Sequence, residues 1–377
     1  MSIKKENPTE LHQVTRGDDW RPMLTLFVRS YNQVGFIEET LQAALAQSYT
    51  PLEILVLDDC SSDGTFQHIE RIAQSYHGQH TLRIIQNERN LRLAGQVNKA
   101  TQLARGELVI MADGDDISLP WRVEAIWQAW RTTKFKALAI HSRSILIDEK
   151  GAYLGCDEHG NPLLESPPEK FQLDDNPFIE QRMDLAEYVS NLQPPVNGCS
   201  VCWSPQLFAY YGPLPIEVQY DDKAIAFRAF GLGSISYISV PLVKWRVHGG
   251  NASLRPSQAR VSLEGIQADE HRDLKKLGWE LAMYRAMHAD LAVLQSSKAP
   301  CTKIPQDIAA VLDSKITVLA ARQEFLRGGF ISRLRNFPRL WHLLGGRQVL
   351  RSYLGRLFGE FLWLRLRLLQ AQRKNET

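Results

Sequence analysis

GELVIMADGDDISLP (Gly106–Pro120) passes from a continuous apolar run to three carboxylates within four positions. Leu108–Met111 predicts a buried strand, and Asp113, Asp115 and Asp116 follow at its carboxyl end. Carboxylates crowded at one edge of a sheet repel one another and cost stability unless a cation or hydrogen-bond donors compensate. Hard divalent cations take oxygen ligands, and Mg2+ or Mn2+ commonly bridges one or two carboxylates to substrate phosphates. A plainer role, helix N-capping, suits one of these acids, with Asp116 placed ahead of a Trp121–Trp130 helix. Three acids in four positions exceed what a cap needs.

Upstream of this stretch the same kind of short apolar run recurs at Met23–Val28, Ile54–Leu57 and Leu82–Ile85. Helical spacing fills the gaps. Gly35–Ser48 places Phe36, Leu41, Ala44 and Leu45 on one face, Ser62 or Asp63 can cap a helix reaching about Tyr76, and Leu93–Ala104 is helical. Continuous apolar strands alternating with helices predict an α/β fold with a parallel sheet covered on both faces. In such sheets ligands bind at the carboxyl ends of the strands. Two further acidic pairs, Asp58-Asp59 and Asp221-Asp222, therefore join the first cluster as candidates. Beyond Trp121 the pattern changes: a strand at Leu138–Ile147, a loop-rich, proline-rich stretch at Gly151–Pro195, and strand composition again at Ser234–Val247. From Val261 to about Phe330 the chain reads as two helices split near Pro300 and Pro305.

Composition narrows the classes. The 377 residues are 44% hydrophobic and 23% charged, which excludes a mostly disordered, collagen-like or disulfide-stapled chain. Five scattered cysteines fit a reducing compartment, and Cys199-x-x-Cys202, without a second ligand pair, reads as two small buried side chains. No apolar h-region opens the chain, and no run reaches the roughly 18 residues that would span a bilayer. The net charge of +2 hides an asymmetry: residues 331–377 hold nine Arg and one Lys against Glu360 and Glu376, a net +8, so the other 330 residues carry −6.

Taken in order, the motifs resemble family-two inverting glycosyltransferases of the GT-A fold. The resemblance rests on FVRSYN (Phe27–Asn32), ALAQSY, DDCSSDGT (Asp58–Thr65), NLRLAGQVN (Asn90–Asn98), GELVIMADGDDISLP, YDDKAIAFR and WRVHGGNAS, and covers about residues 22–255. It implies a Rossmann-like mixed sheet with a C-terminal helical extension. The corresponding division is a flexible 1–20, a catalytic domain 21–255, a helical segment 256–330 and a basic amphipathic tail 331–377.

By the same resemblance, Tyr31 and Asp59 contact the nucleobase, and Asp113 accepts from ribose or sugar hydroxyls. Asp115 is the main ligand of Mn2+ or Mg2+, with Asp113 and His248 as further ligand candidates. Asp222 is the general base and Asp221 its catalytic partner. Arg29, Asn98, Arg228 and Arg246 fall in the nucleotide-sugar-binding set. Arg29 stands where the family often has a small hydroxyl residue, Arg92 replaces a usual glycine, and Asp221 replaces a usual glutamate. For Arg228 a structural ion pair on its helix is an equal alternative, as a plain turn is for the Asn197-Gly198 segment of the acceptor loop. A single displacement needs no enzyme nucleophile, consistent with the lack of a Ser/His/Asp or Cys/His constellation. The Gln-x-x-Arg-Trp motif of processive members is absent, which favours transfer of one or a few sugars.

In the tail, Leu350, Leu354, Leu357, Phe361, Leu364 and Leu368 form an apolar helical stripe flanked by Arg347, Arg351, Arg356, Arg365 and Arg367. That pattern suits an in-plane helix on an anionic membrane rather than nucleic acid, with packing on the body or a homo-oligomer contact as the plainer use. The expected partners are a nucleotide-sugar donor, UDP-linked most often in this family, and a glycan or lipid-linked acceptor. The expected setting is bacterial surface-polysaccharide synthesis at the inner face of the cytoplasmic membrane. The competing readings are an inactive GT-A-like scaffold or sugar-binding protein, against which intact Asp59, Asp115 and Asp222 speak, and a nucleotidyltransferase, whose Gly-rich loop SYNQVGF does not supply.

Overall fold

The computed structural model describes residues 17, 19–157, 178–181, 185–192, 196–233, 235–250, 263–296 and 304–345. The readings placed on residues 1–16, Pro194-Pro195, Asn251–Ser253, Cys301 and the tail beyond residue 345 lie outside them.

The chain begins with four βα repeats. They are β1 (Leu24–Ser30), α1 (Ile37–Leu45), β2 (Leu52–Asp58), α2 (Thr65–Ser75), β3 (Thr81–Gln86), α3 (Arg92–Leu103), β4 (Val109–Asp113), β5 (Ile117–Ser118) and α4 (Arg122–Thr132). Then come β6 (Ala139–Ile147), β7 (Tyr153–Asp157), β8 (Phe178–Gln181), α5 (Leu185–Asn191), β9 (Val201–Trp203), α6 (Gln206–Tyr211), α7 (Asp221–Leu232) and β10 (Ile235–Arg246). Three helices close the described chain: α8 (Leu263–Ser296), α9 (Ile308–Arg327) and α10 (Phe330–Leu344).

One sheet runs in the order β3-β2-β1-β4-β9-β6-β10-β5, with β7 beside β6 and β8 beside β10. The first four strands are parallel, as the unbroken apolar runs predict. The sheet becomes mixed where β9 pairs antiparallel with both β4 and β6. Alternation along β1 and β2 explains why they read as continuous apolar runs. Leu24, Leu26, Val28, Ile54 and Val56 enter one core with α1 and α4, while Phe27, Leu55 and Leu57 enter the other with α3. The second core also takes in α7, α8 and α9, through residues such as Phe227, Leu281, Met287 and Phe325. The C-terminal helices therefore share a core with the sheet.

Each central strand outlasts its apolar run by one or more polar residues, because the ladder continues. Arg29 pairs in register with Asp113, and Ser30 with Asp58. The ends of β1, β2 and β4 thus place polar side chains side by side at one sheet edge. Gly106, just before β4, has no room for a side chain: a Cβ would lie 2.4 Å from the Thr25 nitrogen.

Candidate active site

The acidic cluster sits where β4 ends. Gly114 is required by close approach, since a Cβ there would fall 2.4 Å from Gln33 Oε1 and 3.0 Å from the Arg29 carbonyl. Asp115 is almost buried, and its Oδ2 lies 2.9 Å from His248 Nε2. The His248 ring packs against Phe36 at a 45° tilt, with centroids 4.6 Å apart. Burial, then neighbouring Asp113, pushes the Asp115 carboxyl above the usual range, while His248 pulls it back. Asp116 does not cap the following helix, whose N-cap is Trp121 with no side-chain cap bond. It instead accepts the Arg246 backbone N–H at 2.8 Å. Its carboxyl is pushed well above the usual range by burial and by Asp115 and Asp113.

Arg246 is a pin of this loop. Its Nε donates to the Asp115 carbonyl at 2.9 Å and its Nη1 to the Glu149 carbonyl at 3.0 Å. The guanidinium also pairs with Glu39 and lies over the Phe36 ring. Phe36, read from spacing as one of a helix's apolar residues, is thus the shared floor under His248 and Arg246.

The second acidic pair opens α7, where two carboxylates in the first turn complement the positive end of the helix dipole. Asp221 is buried and receives Arg29 Nη1 at 2.7 Å. The Nε of the same guanidinium is bound to Asp113 Oδ1. Burial opposes the charge of Arg29, but Asp113 and then Asp221 raise its pKa. Asp222 accepts the Lys223 backbone N–H at 2.7 Å. Burial, and next the Asp221 charge, pushes its carboxyl up to about 7.

On the other side of β1, Tyr31 is 48% exposed, which leaves an aromatic face at the cleft rim. Asp59 is buried, and its oxygens accept Asn87 Nδ2 at 2.8 Å, the Leu91 N–H at 2.7 Å and the Arg92 N–H at 2.9 Å. It therefore shapes the loop after β3. Arg92, the residue in place of a glycine, has φ +62°, in the left-handed region. Asn98 is spent on structure, exchanging two hydrogen bonds with the Leu214 backbone at 2.8 Å each.

Arg228 is not brought to the cleft. It is buried in a bidentate pair with Asp290 of α8 at 2.7 and 3.0 Å, and donates to the Gly212 carbonyl at 2.8 Å. Sequence reasoning missed Arg122, fully buried without a carboxylate partner among the described salt bridges. Its Nη2 donates to the Met111 carbonyl at 2.6 Å and the Cys199 carbonyl at 2.8 Å, tying β4 to the turn before β9. Its position two residues after Pro120 carried no distinguishing signal. Gly198, in that turn, lies against Arg29: a Cβ would sit 3.3 Å from Arg29 Nη2.

The donor set at Asp115 fits a hard cation. Asp115 Oδ2 and His248 Nε2, 2.9 Å apart in a hydrogen bond, are the two side-chain atoms that could turn to one cation. No group of three or more His, Cys, Asp or Glu side chains that could hold a metal occurs among the described residues. The pair suits a cation that takes its remaining ligands from phosphate and water.

A mixed sheet fronted by βα repeats, with acidic clusters at its strand ends, is the architecture that the sequence resemblance to the GT-A fold implies. Residues 25–176 match the sequence profile of Glycosyl transferase family 2. EpsE of Bacillus subtilis, provisionally assigned as a glycosyltransferase, is 36% identical over 105 residues, 27% of this chain and 36% of that one. TuaG of the same species, provisionally assigned as a teichuronic acid biosynthesis glycosyltransferase, is 35% identical over 101 residues, 26% of this chain and 38% of that one. The match thus spans little more than a third of each relative. A crystal structure of S. aureus TarS 1–349 in complex with UDP overlays with a TM-score of 0.49 at 15% identity, over 89% of this chain and 83% of that one.

Proposed function

We propose that this chain is a metal-dependent, inverting glycosyltransferase. In this reading it moves one sugar from a nucleotide-diphosphate sugar, UDP-linked foremost, to a hydroxyl of a glycan or lipid-linked acceptor. The observation that carries the reading is the junction at one sheet edge. There Arg29 binds both Asp113, two residues before Asp115 and its partner His248, and Asp221, the residue before Asp222.

The exposed ring of Tyr31 offers a stacking face for the nucleobase, and the loop held by Asp59 would flank the base. Asp115 and His248 would hold Mn2+ or Mg2+. Bound there, such a cation would offset the charge of the departing diphosphate. Asp222 takes the proton of the acceptor hydroxyl as that oxygen bonds to the anomeric carbon. The bond from that carbon to the diphosphate oxygen breaks, its electron pair leaving with the nucleoside diphosphate. A carboxyl poised at about 7 suits a base working near neutral pH.

The setting proposed is bacterial surface-polysaccharide synthesis, with the chain lying on the inner face of the cytoplasmic membrane through residues 331–377. No helix among the described residues is long and apolar enough to cross a membrane. On α10, Leu334, Trp341 and Leu343 are exposed beside Arg335 and ahead of the basic, apolar-striped tail. Flotation on anionic vesicles, comparing the full chain with one ending at residue 330, tests this part; undiminished binding of the shorter chain refutes it.

The activity itself is tested by incubating a panel of UDP-, GDP- and dTDP-sugars with Mn2+ and measuring released nucleoside diphosphate. The wild-type chain should turn over at least one donor, with Asp115→Ala and Asp222→Ala reduced to background. No turnover and no nucleotide-sugar binding by the wild type would end the enzyme reading.

A further inference from the structure

Arg29 is unusual for where its charge goes. It is the penultimate residue of the central strand, its side chain is 10% exposed, and it joins two carboxylates that are 108 positions apart in the chain, Asp113 and Asp221. One belongs to the strand end that carries the donor-side acidic cluster. The other opens the helix that carries Asp222. Its third nitrogen, Nη2, lies 3.3 Å from where a Cβ on Gly198, in the turn before β9, would stand. One guanidinium therefore binds segments brought from β4 and from α7, and lies where a side chain on Gly198 would crowd it.

Resting on the reading above, we infer that Arg29 is a positioning residue. By gripping Asp113 and Asp221 together, it withdraws Asp221 from proton transfer, leaves Asp222 as the base, and fixes the acceptor half of the cleft to the donor half. The physical grounds are three. Asp221 Oδ2 is engaged in a buried charge-assisted hydrogen bond, and such a carboxylate is a poor proton acceptor. Asp222, its neighbour in the chain, accepts the Lys223 backbone N–H and, among the described residues, no hydrogen bond from Arg29, whose charge reaches it only from a distance. A guanidinium can hold two carboxylates at once because its donors are arranged in a rigid planar fork, which a Lys ammonium does not reproduce. Taking Arg29 away leaves Asp113 and Asp221 without their common cation, and the Asp221 charge then acts on Asp222 with Lys223 as the remaining opposing charge.

The test compares Arg29→Met, Arg29→Lys, Asp221→Asn, Asp222→Asn and Arg29→Met/Asp221→Asn in the full chain. Three readouts are used: thermal unfolding, UDP binding by calorimetry with Mn2+, and Mn2+-dependent hydrolysis of whichever donor the panel identifies, with water as acceptor. Arg29→Met should lower kcat by about 30-fold or more, with KM and UDP affinity changed by no more than about threefold. Arg29→Lys should restore only part of the loss. Asp221→Asn should keep turnover well above that of Asp222→Asn. In the Arg29→Met background, Asp221→Asn should raise kcat about tenfold and should not lower the melting temperature further. The inference is overturned if Asp221→Asn is as inactive as Asp222→Asn, if the double variant is no faster than Arg29→Met, or if the whole loss falls on UDP affinity. Strictly additive melting-temperature losses overturn it too. That unfolding cycle needs no substrate. If the wild type neither binds nor hydrolyses any donor, the function reading fails while the unfolding cycle still decides whether Arg29 couples the two carboxylates.

Discussion

Asp290→Ala should be among the most damaging single changes outside the cleft. Arg228 is 1% exposed and its guanidinium is held bidentately by Asp290, itself 4% exposed, with the Phe208 and Tyr211 rings 5.2 Å from the cation on either contact. Removing one partner of a buried pair leaves a desolvated charge and costs about 3–5 kcal/mol. At about 2–4 °C per kcal/mol for domains of 150–250 residues, the melting temperature should fall by about 6–20 °C, nearer the lower figure for a chain of this size. Replacing both charges, as Arg228→Met/Asp290→Leu, should recover most of the loss, because matched apolar side chains are often as stable as a buried ion pair. Calorimetric melting measures both, and UDP titration with Mn2+ follows the site. A loss below about 1 kcal/mol for Asp290→Ala, or a double variant no more stable than the single one, would refute the reasoning. A double variant that melts like the wild type but no longer binds UDP would make Arg228 a phosphate ligand after all.

Donor turnover should rise about tenfold per pH unit below about 7 and level off above it, because Asp222 must be deprotonated to act and its carboxyl is pushed up to about 7; a flat profile over that range removes it as the base. Gly106→Ala should destabilise the chain by about 1–3 kcal/mol or more, read by urea unfolding, since the new methyl meets the β1 backbone at 2.4 Å rather than a yielding side chain. Arg92→Gly should raise stability by about 0.5–1 kcal/mol: relief of a left-handed backbone is worth about 1–2 kcal/mol, and glycine's extra unfolded-state entropy takes back part of it.

The central strands were legible because they are buried on both faces, so most of their positions are apolar. Their last residues were not, since Arg29, Ser30, Asp58 and Asp113 keep β pairing while carrying polar side chains for the cleft. β5 and β9, of two and three residues, are too short to leave a pattern of period two. Among the site residues, the motifs placed Tyr31, Asp115, His248 and the Asp221-Asp222 pair at strand or helix ends. What each side chain binds depended on partners far along the chain. Arg29 meets carboxylates 84 and 192 positions away, Arg228 finds its counter-charge 62 positions later on another helix, and Asp116 gives its carboxylate to a backbone N–H 130 positions on. No local spacing encodes such pairings.

The insertion of β9 between β4 and β6 has a consequence for synthesis on the ribosome. The first 113 residues contain everything needed for β3-β2-β1-β4, and β6 is complete by residue 147, yet the strand that joins them does not exist until residue 203 has been made. During that interval the free edge of β4, an apolar run with unpaired backbone donors and acceptors, is a template for pairing with the wrong strand or with another nascent chain. Closure of the sheet, and with it the seating of Gly198 against Arg29, waits for a three-residue segment supplied late. The slower the synthesis of residues 114–203, the longer that edge of β4 stays without its native partner.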